Sequence, residues 1–319
     1  MSAAAVTPSQ ETVMNDISAK QNSAPMLDVL RAKCALYDSV RRLYVMQAWV
    51  TVGLPIVLSV LKLLYPEAAE VAVVGGLLLL GADLGWLDPK QKERRALAAR
   101  AQEMFDVEVL SLPDHGYRTG PALDPETVAR WARRHSSAVG LRNWYPVAVG
   151  RLPLEFGRVV CQRANGVWNG TMRRRFAVAI RAAAGLLVAI VVIAYVVTGG
   201  AVTSMLSWLL TLSPALVWAI REARRQMESV EASDKVKDQS LALWSALLAR
   251  AMSPEAAVQE SRTLQDAIYD QRRRDQQVFA WVYSRFRSQQ EEDMKVGADA
   301  LVGEYERAIA RRGATPPAG

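Results

Sequence analysis

Histidine and cysteine are almost missing from this chain: His115, His135, Cys34 and Cys161 are all it has of either. Neither histidine has a metal-ligand neighbour at suitable spacing, so no metal centre is expected. The chain also lacks a Gly-rich phosphate loop, an HExxH helix and a GxSxG elbow. With no recognisable constellation for hydrolysis or group transfer, neither an enzyme activity nor a cofactor is expected. The first 42 residues contain no continuous apolar core followed by a cleavage pattern, so no signal peptide is expected and the first apolar run acts as the membrane signal.

Elsewhere the missing feature is charge. Leu43 to Leu61 carries none, and neither does Ala182 to Ile220. One bilayer crossing needs about 20 residues, so the second run is long enough for two. Thr198-Gly199-Gly200 supplies the turn between them. A fourth apolar element, Ala68 to Leu87, is interrupted only by Glu70 and Asp83. It follows the first span after Tyr65-Pro66-Glu67, a link so short that the chain must either recross or lie on the surface, and recrossing agrees with the charge map. Lysine and arginine collect on the cytosolic side of spans because they resist translocation. Here Arg31, Lys33, Arg41 and Arg42 precede the first span, and Lys90, Lys92, Arg94 and Arg95 follow the second. Arg173-Arg174-Arg175 precede the third, and Arg221, Arg224 and Arg225 follow the fourth. The hairpin tips carry only Lys62, which can snorkel to the interface. Both termini and the middle of the chain are therefore expected in the cytosol, where Cys34 and Cys161 stay reduced. The mean hydropathy of +0.04 reflects dilution of four apolar blocks by polar sequence. The net charge of +7 follows largely from this bias, so no nucleic-acid polymer is expected as a partner.

The expected fold class is mainly α: a polytopic membrane protein with four transmembrane helices in two hairpins. Residues 1–16 read as a disordered N-terminus, 17–42 as a cytosolic helix and 43–87 as the first hairpin. Residues 88–175 form a mostly helical cytosolic insert, 176–220 the second hairpin, 221–312 a helical cytosolic region and 313–319 a tail. Within the insert, Phe105–Leu110 alternates apolar and polar residues and predicts one short strand. Asp124-Pro125 opens a helix to about Ser137, and a further helix from about Leu152 to Arg175 runs into the third span. Ser253-Pro254 opens another, with Val258, Leu264 and Ile268 on one face. Val278, Trp281, Val282 and Phe286 give the last its face.

Three segments carry a family resemblance. The first is Ile17-Ser-Ala-Lys-Gln21-Asn22 with Leu30-Arg-Ala-Lys-Cys-Ala-Leu36-Tyr37. The second is Asn143-Trp144-Tyr145 with Cys161-Gln162-Arg163-Ala-Asn165-Gly-Val-Trp168 and Met172-Arg173. The third is Ile268-Tyr269-Asp-Gln-Arg272 followed by Trp281-Val-Tyr283, Arg287, Glu291 and Met294. In this order around two hairpins they resemble the SMODS-associated four-transmembrane effector family, pore-forming proteins of bacterial anti-phage systems. The similarity runs from about residue 14 to 305. It implies a CBASS-like role: a partner synthase makes a cyclic oligonucleotide on infection, and the homo-oligomeric effector permeabilises the inner membrane, causing abortive infection. The family pattern has Asp after the tryptophan of the second segment. This chain has Asn169, so no role requiring a carboxylate there carries over.

A cyclic nucleotide needs cations for phosphates, an aromatic plane for a base and an amide for base edges. Arg163, Asn165, Trp168 and Arg173 supply all three on the helix entering the third span, although such runs also serve as lipid anchors. Asp83 and Arg181 lie near the cytosolic ends of their spans, at depths that permit an ion pair between hairpins; the alternative is that each snorkels. Arg272-Arg273-Arg274, beside Tyr269 and Trp281, reads as a solvated helix face, with phosphate binding as the alternative. Pro55 and Pro214 interrupt the first and fourth spans, which membrane helices tolerate. The function of a different class that fits the same pattern is a non-conducting membrane scaffold recruiting a cytosolic partner. Alkaline phosphatase fused at Gly199 should be active, and fused within 88–175 or after Gly313 inactive; activity at the latter sites would invert the topology.

Overall fold

The computed structural model describes residues 14–135, 140–167, 170–199, 201–275 and 277–313. Among them there is no strand, and 85% of the chain is helical. The elements are α1 (Ile17–Gln21), α2 (Ala24–Ala48), α3 (Leu54–Leu64), α4 (Ala69–Ala82), α5 (Asp88–Val109), α6 (Gly116–Thr119) and α7 (Pro125–Ala132). They continue with α8 (Leu154–Val167), α9 (Gly170–Thr198), α10 (Val202–Leu248), α11 (Pro254–Arg274) and α12 (Ala280–Gly313).

Local chemistry sets the helix starts. Asp124 caps α7 by accepting from the Thr127 amide at 2.7 Å, with Pro125 at the first helical position, where its missing N–H costs nothing. Ser253 caps α11 in the same way, accepting from the Ala256 amide at 3.2 Å ahead of Pro254. Gly199 takes φ +60° at the tip between α9 and α10, a conformation that glycine adopts without steric cost.

Four helices are long and apolar enough to cross a membrane: Ala24–Leu64, Pro66–Val109, Met172–Val197 and Val202–Leu248. Three of them extend well beyond the bilayer as continuous rods. α2 passes into α3 through a π-turn, Trp49–Gly53, and α4 passes into α5 through another, Asp83–Leu87. α10 runs 47 residues with Pro214 inside it.

The polar stretches that flank and separate the hairpins gather on one side of the spans and share one apolar core. It takes Ile17, Leu30 and Leu36 from the first stretch, Phe105, Trp131, Leu152 and Val159 from the insert, and Trp244, Ile268 and Val302 from the C-terminal region. Phe156 stacks edge-on against Trp244 at 5.2 Å and lies 4.8 Å from Tyr305, joining α8, α10 and α12.

The strand expected at Phe105–Leu110 is instead the end of α5 and its cap. Phe105, Asp106 and Val109 are all fully buried, so α5 is covered on more than one face and its helical period is blurred into an apparent alternation. The helix opened by Asp124 closes at Ala132, and 136–139 lie outside the described residues. The expected helix into the third span is formed by α8 and α9, with Trp168 and Asn169 outside the described residues. The disordered N-terminus falls largely on 1–13, also outside them, while Asn15 already donates to the carbonyls of Val149 and Leu152 at 2.7 and 2.8 Å. Leu264 and Ile268 are buried as expected and Val278 is 7% exposed, but the side chains of Trp281, Val282 and Phe286 are not among those described.

Within the membrane portion, α4 lies directly against α10 at Gly76. A Cβ there would meet the Thr211 carbonyl oxygen at 2.8 Å, whereas one at Gly81 would meet nothing within 4 Å. Small residues permit such close approach where no hydrophobic effect drives helices together. Gly76→Val should therefore lower the stability of the detergent-solubilised protein by about 1–3 kcal/mol through overpacking. Gly81→Ala should leave the thermal unfolding curve unchanged.

Candidate functional site

The polar unit is organised around a carboxylate with no access to solvent. Asp106 on α5 accepts from the Tyr145 hydroxyl at 2.7 Å through Oδ1, and from Arg272 at 2.5 Å and Gln265 at 3.0 Å through Oδ2. Tyr145 is itself fixed on both backbone sides by Gln21, whose Oε1 accepts from its amide at 2.7 Å and whose Nε2 donates to its carbonyl at 3.3 Å. Asn165 donates to the Tyr145 hydroxyl at 3.2 Å. One turn before Asp106, Glu103 accepts from Arg262 at 2.5 Å and Gln265 at 2.8 Å. Arg262 continues to Asp266 at 2.6 Å, which faces His115 Nδ1 at 3.0 Å. Beside this network the buried Lys33 ammonium sits 3.7 Å from the Trp144 ring centroid.

Burial sets the electrostatics. It pushes the Lys33 ammonium down to about 8 and the Cys161 thiol well up, away from the thiolate that would make it reactive. Burial followed by the Asp106 charge raises the Tyr145 phenol. For Arg272, burial alone would lower the guanidinium pKa, but the adjoining Asp106 carboxylate holds it above its ordinary value. Glu103 is raised by burial despite Arg262. The Asp106 carboxylate is met by donors from α11 and the 143–145 segment, and Asn165 of α8 joins them through Tyr145, so this centre fixes the relative positions of α5, α8, α11 and the 143–145 segment.

A second polar cluster lies where the helices leave the apolar portion. Asp83, fully buried in the π-turn between α4 and α5, accepts from Gln47 at 2.5 Å and is ion-paired to Arg221 of α10. Gln47 in turn accepts from Gln91 at 3.2 Å. Asp88 pairs with Arg225 at 2.8 Å, while Glu222 accepts from Tyr44 at 3.0 Å and from Gln226 at 2.7 Å. Gln226 accepts from Arg173 at 2.8 Å, and Arg173 reaches Asp275 at 3.3 Å. Arg95 donates to the carbonyls of Arg274 and Asp275 at 2.9 and 3.2 Å. This belt ties all four membrane helices to the connector between α11 and α12.

The model of the SMODS-associating 4TM effector domain matches residues 15–301, nearly the whole chain. The chain belongs to this family. Membership makes it a CBASS-type effector with membrane-spanning helices. No curated protein and no solved structure matches it.

The three segments that carried the resemblance converge in this effector on the centre at Asp106: Gln21 and Lys33 from the first, Trp144, Tyr145 and Asn165 from the second, Arg272 from the third. Arg163 and Asn165 lie together on α8. Asn165 is engaged by Tyr145 and the Cys161 carbonyl, whereas Arg163 is half-buried against Gly297 and its Nε has no hydrogen-bond partner. Arg173 stands apart from them in the belt, and Trp168 lies outside the described residues. Among the clefts that the described residues form on the polar unit are two of unequal size. The larger, about 430 Å³, lies between α2 and α7 and is lined by Asp28, Arg31, Arg133 and His135; the smaller, about 260 Å³, lies beside Arg100 and Glu103. Neither is lined by Arg163, Asn165 or Arg173.

The ion pair that the depths of Asp83 and Arg181 permit is not formed. Asp83 turns to Arg221 and Gln47, and Arg181 points outward on α9. Equal depth in two spans does not give equal azimuth. The basic run Arg272-Arg273-Arg274, expected as a solvated face, divides: Arg272 is buried on Asp106 while Arg273 and Arg274 are exposed. Sequence reasoning also missed Gln47, Arg221, Asp106 and Arg262. Tyr44, Gln47, Thr51 and Pro55 fall at spacings of three and four within an otherwise apolar run, a signal that marks an inward face.

Removing one member of a buried pair leaves an uncompensated charge, at a cost of about 3–5 kcal/mol. Arg272→Met should therefore destabilise the purified protein strongly, and combining it with Asp106→Asn should recover part of that loss. Additive losses in thermal unfolding would show that the two side chains act independently.

Proposed function

We propose that this effector sits in the bacterial inner membrane with both termini and the polar unit in the cytosol, and permeabilises that membrane when a cyclic oligonucleotide binds the polar unit. The messenger comes from a partner synthase switched on by phage infection, and leakage ends the infection by killing the host cell. The observation that carries this reading is the belt: all four membrane helices are tied by buried polar contacts to the α11–α12 connector, and α2, α5 and α10 pass unbroken from one portion to the other. A shift in the polar unit therefore acts directly on the spans. Ligands move such an equilibrium only by binding one state better than the other. Arg163 supports a phosphate-bearing ligand, because its half-buried guanidinium lacks a carboxylate partner among the described residues. Asn165 and Trp168 belong to the same proposed contact. Arg173 joins it through the belt, where ligand binding would compete with Asp275 and Gln226 for its guanidinium.

Four spans in one chain are few for a wide conduit, so the working form is a homo-oligomer. Liposomes carrying the purified protein, challenged in turn with cyclic di- and trinucleotides, should leak ions with one of them. Arg163→Ala should weaken the response without altering thermal stability. Nucleotide binding without leakage from correctly inserted protein would overturn permeabilisation in favour of a scaffold.

A further inference from the structure

The membrane portion is turned inside out in polarity. Leu54, Val57, Leu63, Val71, Leu78 and Leu206 face outward, each more than 40% exposed. The positions facing the contact between the first hairpin and α10 are polar or small instead. Thr51, Asp83 and Thr211 are fully buried, Gln47 is 1% exposed, and Ala72 and Gly76 lie opposite them. Small residues alone are ordinary helix-packing chemistry. Ionisable side chains buried among them are not, since they are costly in hydrocarbon and mark pathways by default.

Lys62 decides the reading. It lies near the tip of the first hairpin, three residues before Tyr65, where its long stem can reach the headgroups. It does not snorkel. The side chain turns inward, only 8% of the residue is exposed, and its ammonium donates to the Ser207 hydroxyl of α10 at 2.6 Å and lies 4.4 Å from the Trp208 ring centroid. From Lys62 the polar seam descends past Thr211, whose hydroxyl donates to the Ser207 carbonyl, and Thr51, whose hydroxyl donates to that of Gln47. It ends at Gln47, Asp83 and Arg221. Lys62 and Gln47 are about 22 Å apart at 1.5 Å per residue, most of the ~30 Å hydrocarbon thickness.

We infer that this seam between the first hairpin and α10 is the surface along which ions pass in the activated assembly, and that the passing species are small anions. The inference rests on the proposed permeabilising function. Asp83 is matched by Arg221 at the end next to the polar unit, which leaves the Lys62 ammonium without a counter-charge in the seam among the described residues. A fixed positive charge in a narrow, low-dielectric path favours anions. The Asp83–Arg221–Gln47 cluster closes the other end at rest, and parting of α10 from the first hairpin opens it.

The test uses liposomes loaded with chloride- and potassium-sensitive dyes and exposed to the nucleotide panel. Wild-type protein should release chloride in preference to potassium. Lys62→Met should abolish that preference, and Lys62→Glu should reverse it, a swing of about tenfold in the ratio for a charge inverted beside the path. In a chain with Cys34→Ser and Cys161→Ala, Thr51→Cys and Thr211→Cys should react with a charged thiosulfonate only after the messenger is added. If no nucleotide opens the wild type, Arg221→Met, which deprives Asp83 of its counter-charge, supplies an unlatched state for the same measurements. Leakage whose selectivity ignores Lys62, with both cysteines unreactive, would place the path elsewhere and leave the permeabilising function standing. No leakage from wild type, or from Arg221→Met whose circular dichroism shows it folded, would overturn both.

Discussion

Hydrocarbon cannot solvate a charge, so an ionised group buried where the helices leave the membrane has to be matched by another part of the protein. Asp83 meets that requirement through Arg221 and Gln47, and in doing so it joins the first hairpin to the second. The neighbouring pairs obey the same rule. Asp88 needs Arg225, Glu222 needs Tyr44 and Gln226, and Arg173 needs Gln226 and Asp275. All but the Glu222–Gln226 contact cross from one element to another, so the demand for neutrality becomes the cross-bracing that fixes the bundle. The π-turns at Trp49–Gly53 and Asp83–Leu87 lie at this level, where widened turns re-aim side chains that a regular helix would direct elsewhere.

The polar unit obeys a related constraint away from lipid. Asp106 is excluded from water by side chains contributed from across the sequence, and its three partners come from segments 39, 159 and 166 residues away. Such a centre exists only when α5, α8, α11 and the 143–145 segment are all docked. It therefore couples their positions: moving one leaves a buried polar group unsatisfied on the others. The belt receives the same elements one step further on, through Arg95 of α5, which donates to the Arg274 carbonyl at the end of α11, and through the Gln277 carbonyl beyond it. Packing in the polar unit and packing of the spans are consequently parts of one mechanical problem.

Much of the architecture was legible in the sequence because hydropathy is local. Charge-free runs, the Gly199 turn and the capping pairs Asp124-Pro125 and Ser253-Pro254 each act within a few residues, and the four long apolar helices lie where those signals put them. Azimuth was not legible. Arg221 read as one more charge flanking a span, and Arg272 as one member of a solvated run, because nothing within a helical turn of either shows what lies opposite. Asp83 and Arg181 were matched by depth alone, which omits rotation about the helix axis. Phe105–Leu110 failed for a related reason: a helix buried on several faces loses the polar stripe that announces its period. The resemblance segments marked residues that meet at Asp106, yet Asp106 itself stood outside all three.

The two hairpin tips are minimal. Tyr65 and one turn of 3₁₀ helix separate α3 from α4, and residues 199–201 separate α9 from α10. The face of the membrane opposite the polar unit is thus nearly bare of protein. An antibody, protease or phage-encoded antagonist confined to that face would find almost no epitope, and a ligand arriving there would find no folded surface to bind. Any molecule that reads a folded surface of this effector therefore has to reach it from the side of the membrane that holds the polar unit.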